Sequence, residues 1–199
     1  MIAQEILSVL FENQIQESSG YSLRGSVTRD LVISKVWLLE ELAKINQHYN
    51  VAYVLGSWYS NTALLIHLTR LISVDNVINI DTNAEFLQTG HKLLKFAGVD
   101  FEFEHMKKDV NQLDYRQLTD NSVVINTSLQ NMHNDEWFKN IPNGMLVAMQ
   151  ARNNDPDVQY QNVKDIDQHF PLVKTLYQGA LKLQDPETQY QRFMKIGIK

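Results

Sequence analysis

From residue 51 to residue 150 the chain alternates short apolar runs with segments whose apolar residues recur at helical spacing, and the links between them are short. Parallel strands cannot be joined by a tight turn and need a crossover, usually a helix. Alternation of this kind therefore predicts a parallel sheet with helices on both faces. The pattern places strands at about 51–55, 77–81, 100–107, 122–126 and 145–150, with helices at about 59–73, 83–97 and 135–140 between them. Asn83 is the expected N-cap of the second of these helices and Gly98 its stop. After a short helix near 163–169, strand-like segments at 172–183 and 190–198 are separated only by Gln184 to Gln189, too short a link for a crossover, so these two must run antiparallel. The expected fold is α/β: a doubly wound, mostly parallel seven-stranded sheet with a C-terminal antiparallel hairpin.

Two helical patterns precede the alternation. Ile2, Ile6, Val9 and Leu10 mark one within residues 1–18. Tyr21 to Thr28 reads as a polar loop. A second helix at about 28–48 places Val32, Val36, Leu39 and Ala43 on one stripe, flanked by Leu31, Leu38, Leu42 and Ile45, and should pack on a core. Residues 1–48 are thus an N-terminal helical extension or lid, and residues 49–199 the α/β domain. At 199 residues and 44% hydrophobic, the chain can bury one substantial core. The net charge of -5 argues against a general nucleic-acid surface, which needs clustered Lys and Arg. No cysteine is present, so there is no disulfide framework, thiolate metal site or cysteine nucleophile. The histidines show no metal-like pairing, and no metal is expected. No apolar run approaches the ~20 residues that span a bilayer, and the N-terminus lacks a basic region before an apolar core. The expectation is a cytoplasmic protein without membrane contact; a homodimer is left open.

In open parallel sheets the ligand crevice lies beyond the carboxyl ends of the strands, where strand order reverses. Those ends carry Gly56-Ser57-Trp58, Asp81-Thr82, Lys108-Asp109, Asn126-Thr127-Ser128 and Gln150-Ala151-Arg152. At the first of them an apolar strand meets a tight turn and then a helix N-terminus, whose unpaired amides suit a polar or anionic group. The dinucleotide fingerprint wants three glycines there, and this chain offers one. Asp81 lies 25 residues after Gly56, near the ~20-residue interval at which an acid accepts hydrogen bonds from ribose hydroxyls. Asp109 ends the next strand, where a carboxylate can receive a base amino group. Asn126 ends a strongly apolar strand and must find partners if buried. His133, in the following loop, is the histidine nominated as general base, because its ordinary pKa lies near neutrality. Gln150, Arg152 and Asn153 are candidate substrate contacts, and Arg24 a candidate lid residue. Ser57, Ser60 and Ser128 lack a G-x-S-x-G elbow, which counts against hydrolase chemistry.

From about Val51 to Lys199 the chain resembles the class I S-adenosylmethionine-dependent methyltransferases, whose fold is Rossmann-like. The likeness lies in the Val-Leu-Gly-Ser turn, Asp81, Asp109, the Val-Ile-Asn-Thr-Ser segment and the closing hairpin. It implies S-adenosylmethionine as cofactor. Gly56 and Ser57 would cradle its methionine part, Asp81 its ribose hydroxyls and Asp109 its adenine amine, with Thr82 and Val110 also among the cofactor-binding residues. Asn126 and Thr127 would face the methyl group and the substrate, with Asn126 and His133 as the catalytic candidates. Trp58 and Ser60 replace the second and third glycines of the first motif, and Trp58 would lie over the cofactor by stacking or cation–π contact. The implied reaction is methyl transfer to an oxygen or nitrogen of a small or peptide-like acceptor. Two alternatives stand beside it: a non-catalytic methyltransferase-like interaction module, and a nicotinamide-dependent oxidoreductase.

Overall fold

The computed structural model describes residues 23–132, 134–154, 160–184 and 188–199. Its strands are β1 (His48–Leu55), β2 (Ser73–Asp81), β3 (Glu102–Lys107), β4 (Ser122–Asn126), β5 (Leu146–Arg152), β6 (Lys174–Gln184) and β7 (Gln189–Ile198). They form one mixed sheet in the order β3-β2-β1-β4-β5-β7-β6. β1 to β5 pair in parallel, and β7 runs antiparallel to both β5 and β6. Strand order steps outward from β1 through β2 and β3, then restarts on the other side with β4, so the reversal falls between β1 and β4.

The helices are α1 (Leu23–Ser26), α2 (Arg29–Ile45), α3 (Asn61–Thr69), α4 (Ala84–Ala97), α5 (Glu136–Asn140) and α6 (Val163–His169). Because side chains alternate across a strand, the core divides in two. Ala52 and Val54 of β1, Val123 and Ile125 of β4, Ala148 of β5 and Met194 and Ile196 of β7 share one cluster with Leu38, Leu39 and Leu42 of α2 and Ala63 to Ile66 of α3. Tyr53, Leu55, Val124, Val147, Met149 and Phe193 belong to a second, with Trp137, Phe138 and Ile166 of α5 and α6. β4, enclosed between neighbours, is buried along its whole length, as its unbroken apolar run requires.

Several boundaries move for identifiable reasons. The helix predicted within residues 1–18 lies outside the described residues. The loop expected at 21–28 contains α1, closed by Ser26 Oγ donating to Leu23 O. Apolar spacing assigns Leu71 and Ile72 to a helix, yet α3 ends at Thr69, where Arg70 turns left-handed (φ 52°) and β2 starts at Ser73 opposite His48. β5 runs past Gln150 to Arg152 because β7 supplies the pairing, Ala151 to Phe193 and Arg152 to Arg192, after β4 has ended. Asn83 does cap α4, accepting from the amides of Glu85 and Phe86, and Gly98 stops it with φ 63°. Among the described residues no helix is long and apolar enough to cross a membrane.

Candidate functional site

Register brings the strand tips to one rim. Leu55 pairs with Ile80 on one side and Asn126 on the other, Asp81 pairs with Lys107, and Asn126 with Met149. Gly56-Ser57, Asp81, Asn126-Thr127 and Gln150 therefore follow one another across the end of the sheet, astride the reversal between β1 and β4. The turn leaving β1 is left-handed at three alternate residues, Gly56 (φ 61°), Trp58 (φ 52°) and Ser60 (φ 58°). At the two non-glycine positions this backbone costs roughly 1–2 kcal/mol each, and a set of contacts offsets it. Trp58 N donates to Asp81 Oδ2 (2.9 Å), Ser57 N to Ile80 O (3.0 Å) and Ser60 N to Ser57 O (2.9 Å). Ser60 Oγ lies 2.8 Å from His105 Nε2. The Trp58 indole stacks on Tyr59 at 5.3 Å and meets the Phe86 ring edge-on at 6.2 Å. Gly90 of α4 makes room for Ser60: a Cβ there would stand 2.5 Å from Ser60 Oγ. A Cβ on Gly56 would meet Met132 Cε at 3.2 Å.

Both oxygens of Asp81 are aimed by backbone amides, Oδ2 by Trp58 and Oδ1 by Asn83 (2.9 Å). A carboxylate has about four acceptor positions, so two such bonds orient it and leave capacity for hydroxyl donors. Thr82 beside it is exposed. Asp109 Oδ1 accepts from Asn111 N (2.9 Å) and Asn111 Nδ2 (3.0 Å), capping a short turn at Val110–Gln112 in which Val110 is buried. Two polar atoms at the β1 and β4 tips are buried with no partner among the described residues: Ser57 Oγ and Asn126 Nδ2. Asn126 Oδ1 accepts from Ser128 N (3.0 Å), which turns the Nδ2 donor away from its own loop.

Gln150 is fully buried and donates through Nε2 to Ser34 O of α2 (2.8 Å), so it ties the N-terminal helix to the sheet. Arg152 stands in β5 rather than in the loop beyond it. Asn153 exchanges bonds with Gln191, N to O at 3.2 Å and Oδ1 from N at 2.7 Å, prolonging the β5–β7 ladder. Arg24 lies in α1. His133 lies outside the described residues.

No family model matches the sequence, and no curated protein matches it. Solved structures do. The N-methyltransferase NodS of Bradyrhizobium japonicum WM9, in complex with S-adenosyl-homocysteine, superposes with TM-score 0.67 at 8% identity, covering 98% of this chain and 98% of NodS. Magnesium protoporphyrin IX methyltransferase of Synechocystis PCC 6803, with bound S-adenosylmethionine, gives 0.60 at 8% identity over 98% and 97% of the two chains. An rRNA methylase of Streptococcus thermophilus gives 0.57 at 12% identity over 86% and 98%. The chain has the fold of the class I S-adenosylmethionine-dependent methyltransferases. At these identities the likeness establishes the fold alone.

Within this methyltransferase fold the structure gathers residues that sequence reasoning missed. Lys35 of α2 (8% exposed) and Arg192 of β7 (2% exposed) are buried beside Asp30, and Tyr190 Oη donates to an Asp30 oxygen. Arg192 Nη2 donates to Thr127 O at the β4 tip. Burial, reinforced by Arg192 and opposed by Asp30, brings the Lys35 ammonium down to about 7; burial likewise lowers Arg192 to about 10. The Tyr190 phenol is pushed up, chiefly by burial and then by its bond to Asp30. A signal existed. Lys35 interrupts the stripe Leu31, Leu38, Leu42, and Arg192 interrupts the buried face Tyr190, Met194, Ile196, and a charge on an apolar face is the informative exception.

Proposed function

We propose that the chain is a doubly wound, Rossmann-like enzyme that transfers a methyl group from S-adenosylmethionine to an oxygen or nitrogen of a small or peptide-like acceptor. The carrying observation is the Asp81 carboxylate, oriented by the Trp58 and Asn83 amides beside a left-handed Gly56 turn. A nucleoside's ribose is the ligand such a fixed acceptor suits, and the buried unpartnered Ser57 Oγ and Asn126 Nδ2 beside it fit the polar end of the same molecule. Gly56 and Ser57 hold the methionine part, Asp81 and Thr82 the ribose, Asp109 and Val110 the adenine edge, and the half-buried Trp58 indole lies against the bound molecule. S-adenosylmethionine supplies a methyl group already activated by its sulfonium charge.

The chain's own contribution is then alignment and exclusion of water. Asn126 and Thr127 face the acceptor, Gln150, Arg152 and Asn153 flank it, His133 receives its proton, and residues 1–48, with Arg24, form an extension over the crevice. The porphyrin and rRNA neighbours differ in acceptor by their names, so fold does not choose between such acceptors. A thermal-shift titration with S-adenosylhomocysteine tests the reading: the native protein should be stabilised and Asp81→Ala should not. Equal shifts in both would remove Asp81 from the site, and no shift in either would favour the non-catalytic module.

A further inference from the structure

We propose that the methyl acceptor carries an oxyanion, a carboxylate or a phosphate, which binds between α2 and the rim of β5 and β7 against Lys35 and Arg192. The assignment to an acceptor rests on the methyltransferase reading; the anion site itself does not.

Four observations converge. The first is position. Gln150 and Arg152 of β5 stand opposite Met194 and Arg192 of β7, and the Gln150 bond to Ser34 O draws α2, with Lys35 next in sequence, onto this corner. Arg192 reaches Thr127 O, one residue from the Asn126 amide that faces the transfer locus in the reading above. A group held here is therefore beside the β4 tip and on the far side of it from Asp81.

The second is unspent donor capacity. A guanidinium offers five N–H donors in a planar fork matched to carboxylate and phosphate. Arg192 Nε has no partner among the described residues although the side chain is 2% exposed. The third is charge. Two arginines face each other across the β5–β7 ladder, Arg152 and Arg192, and Lys35 adds a third cation from α2. Like charges in directly opposed strand positions repel. Among the described residues, the carboxylate acting on both Lys35 and Arg192 is Asp30, whose oxygen also takes the Tyr190 hydroxyl. The fourth is energetic. Buried cations are costly unless paired, so Lys35 and Arg192, which share the Asp30 carboxylate, gain from an entering oxyanion, which returns the lysine to its charged form and closes the arginine fork.

The test is calorimetric titration of the full chain with inorganic phosphate and, separately, with succinate, chloride holding ionic strength constant, and with S-adenosylhomocysteine in parallel. Saturable binding of one probe is expected, phosphate indicating a phosphorylated acceptor and succinate a carboxylate. Lys35→Met and Arg192→Met should each weaken it about tenfold or more while S-adenosylhomocysteine affinity stays within about twofold. Should Arg192→Met not fold, Lys35→Met and Arg192→Lys carry the test. Absence of saturable binding of either anion to the native protein overturns the proposal. A parallel loss of S-adenosylhomocysteine affinity in the variants also overturns it, since the cluster would then hold the cofactor's own carboxylate. Anion binding without any S-adenosylhomocysteine binding overturns the acceptor assignment and the methyltransferase reading together, leaving the anion site.

Discussion

Replacing Lys35 by methionine should make the ligand-free protein more stable, by an amount that depends on pH in a defined direction. Lys35 is 8% exposed and ionises at about 7 in place of its ordinary 10.5, chiefly through burial, with Arg192 opposing and Asp30 favouring its charge. Below pH 7 folded and unfolded chains both hold the proton, and the folded state carries the whole cost of the buried ammonium. Between 7 and 10.5 the folded chain has released the proton and the unfolded chain still binds it, so stability climbs with pH; above 10.5 this cost is gone. At roughly 1.4 kcal/mol per pH unit the gap amounts to about 5 kcal/mol at pH 6 and about 2 kcal/mol at pH 9. Replacing buried charges by apolar groups of like shape has gained about 1–4 kcal/mol elsewhere, so the figure at pH 6 is an upper bound. Methionine keeps the length of the stem and removes the charge. Urea unfolding of both proteins at pH 6, 7.5 and 9 measures the difference, with Asp30, Tyr190, Arg152 and Arg192 common to both. A difference that is constant across pH, that grows with pH, or that favours the native protein at pH 6 would refute the reasoning.

Other outcomes follow from the turn and its supports. Gly90→Ala should cost about 1–3 kcal/mol by overpacking, because the new Cβ would stand 2.5 Å from Ser60 Oγ and 3.0 Å from the Tyr59 carbonyl carbon; chemical denaturation reads it, and a Ser60→Gly change that is more favourable in the Gly90→Ala background than in the native protein identifies the clash with Ser60. Gly56→Ala should lose about 1–2 kcal/mol from a left-handed backbone at φ 61° and press on Met132, and thermal unfolding measures it. Burial, assisted by His91, brings His105 down to about 4, so its neutral form is favoured in the folded state. Its contribution is complete above about 6.5 and is lost as pH falls toward 4, which NMR titration of the His105 ring and denaturation at pH 7 and 5 would show together.

Much of the architecture is legible in local chemistry. Alternation across 51–150 predicts the parallel strands, the short link before Gln189 makes the last pair antiparallel, and Asn83 and Gly98 bound α4 through side-chain capping and a left-handed stop. The rim residues Gly56, Asp81 and Asn126 are readable as strand ends, whereas Gln150, expected as one, lies inside β5. What was not readable depends on contacts distant in sequence. The reach of β5 to Arg152 is set by β7, and the early start of β2 at Ser73 by β1. The left-handed Trp58 and Ser60 contradict local preference and persist because Asp81, His105 and Gly90 hold them from other elements. Lys35 and Arg192 are separated by most of the chain, and only the docking of α2 on β5 and β7 makes them neighbours.

The most direct test of the central claim is calorimetric titration of the intact protein with S-adenosylmethionine, with a nicotinamide dinucleotide as comparison. The account predicts saturable one-to-one binding of S-adenosylmethionine in preference to the dinucleotide. Absence of heat with S-adenosylmethionine, or preference for the dinucleotide, would contradict it.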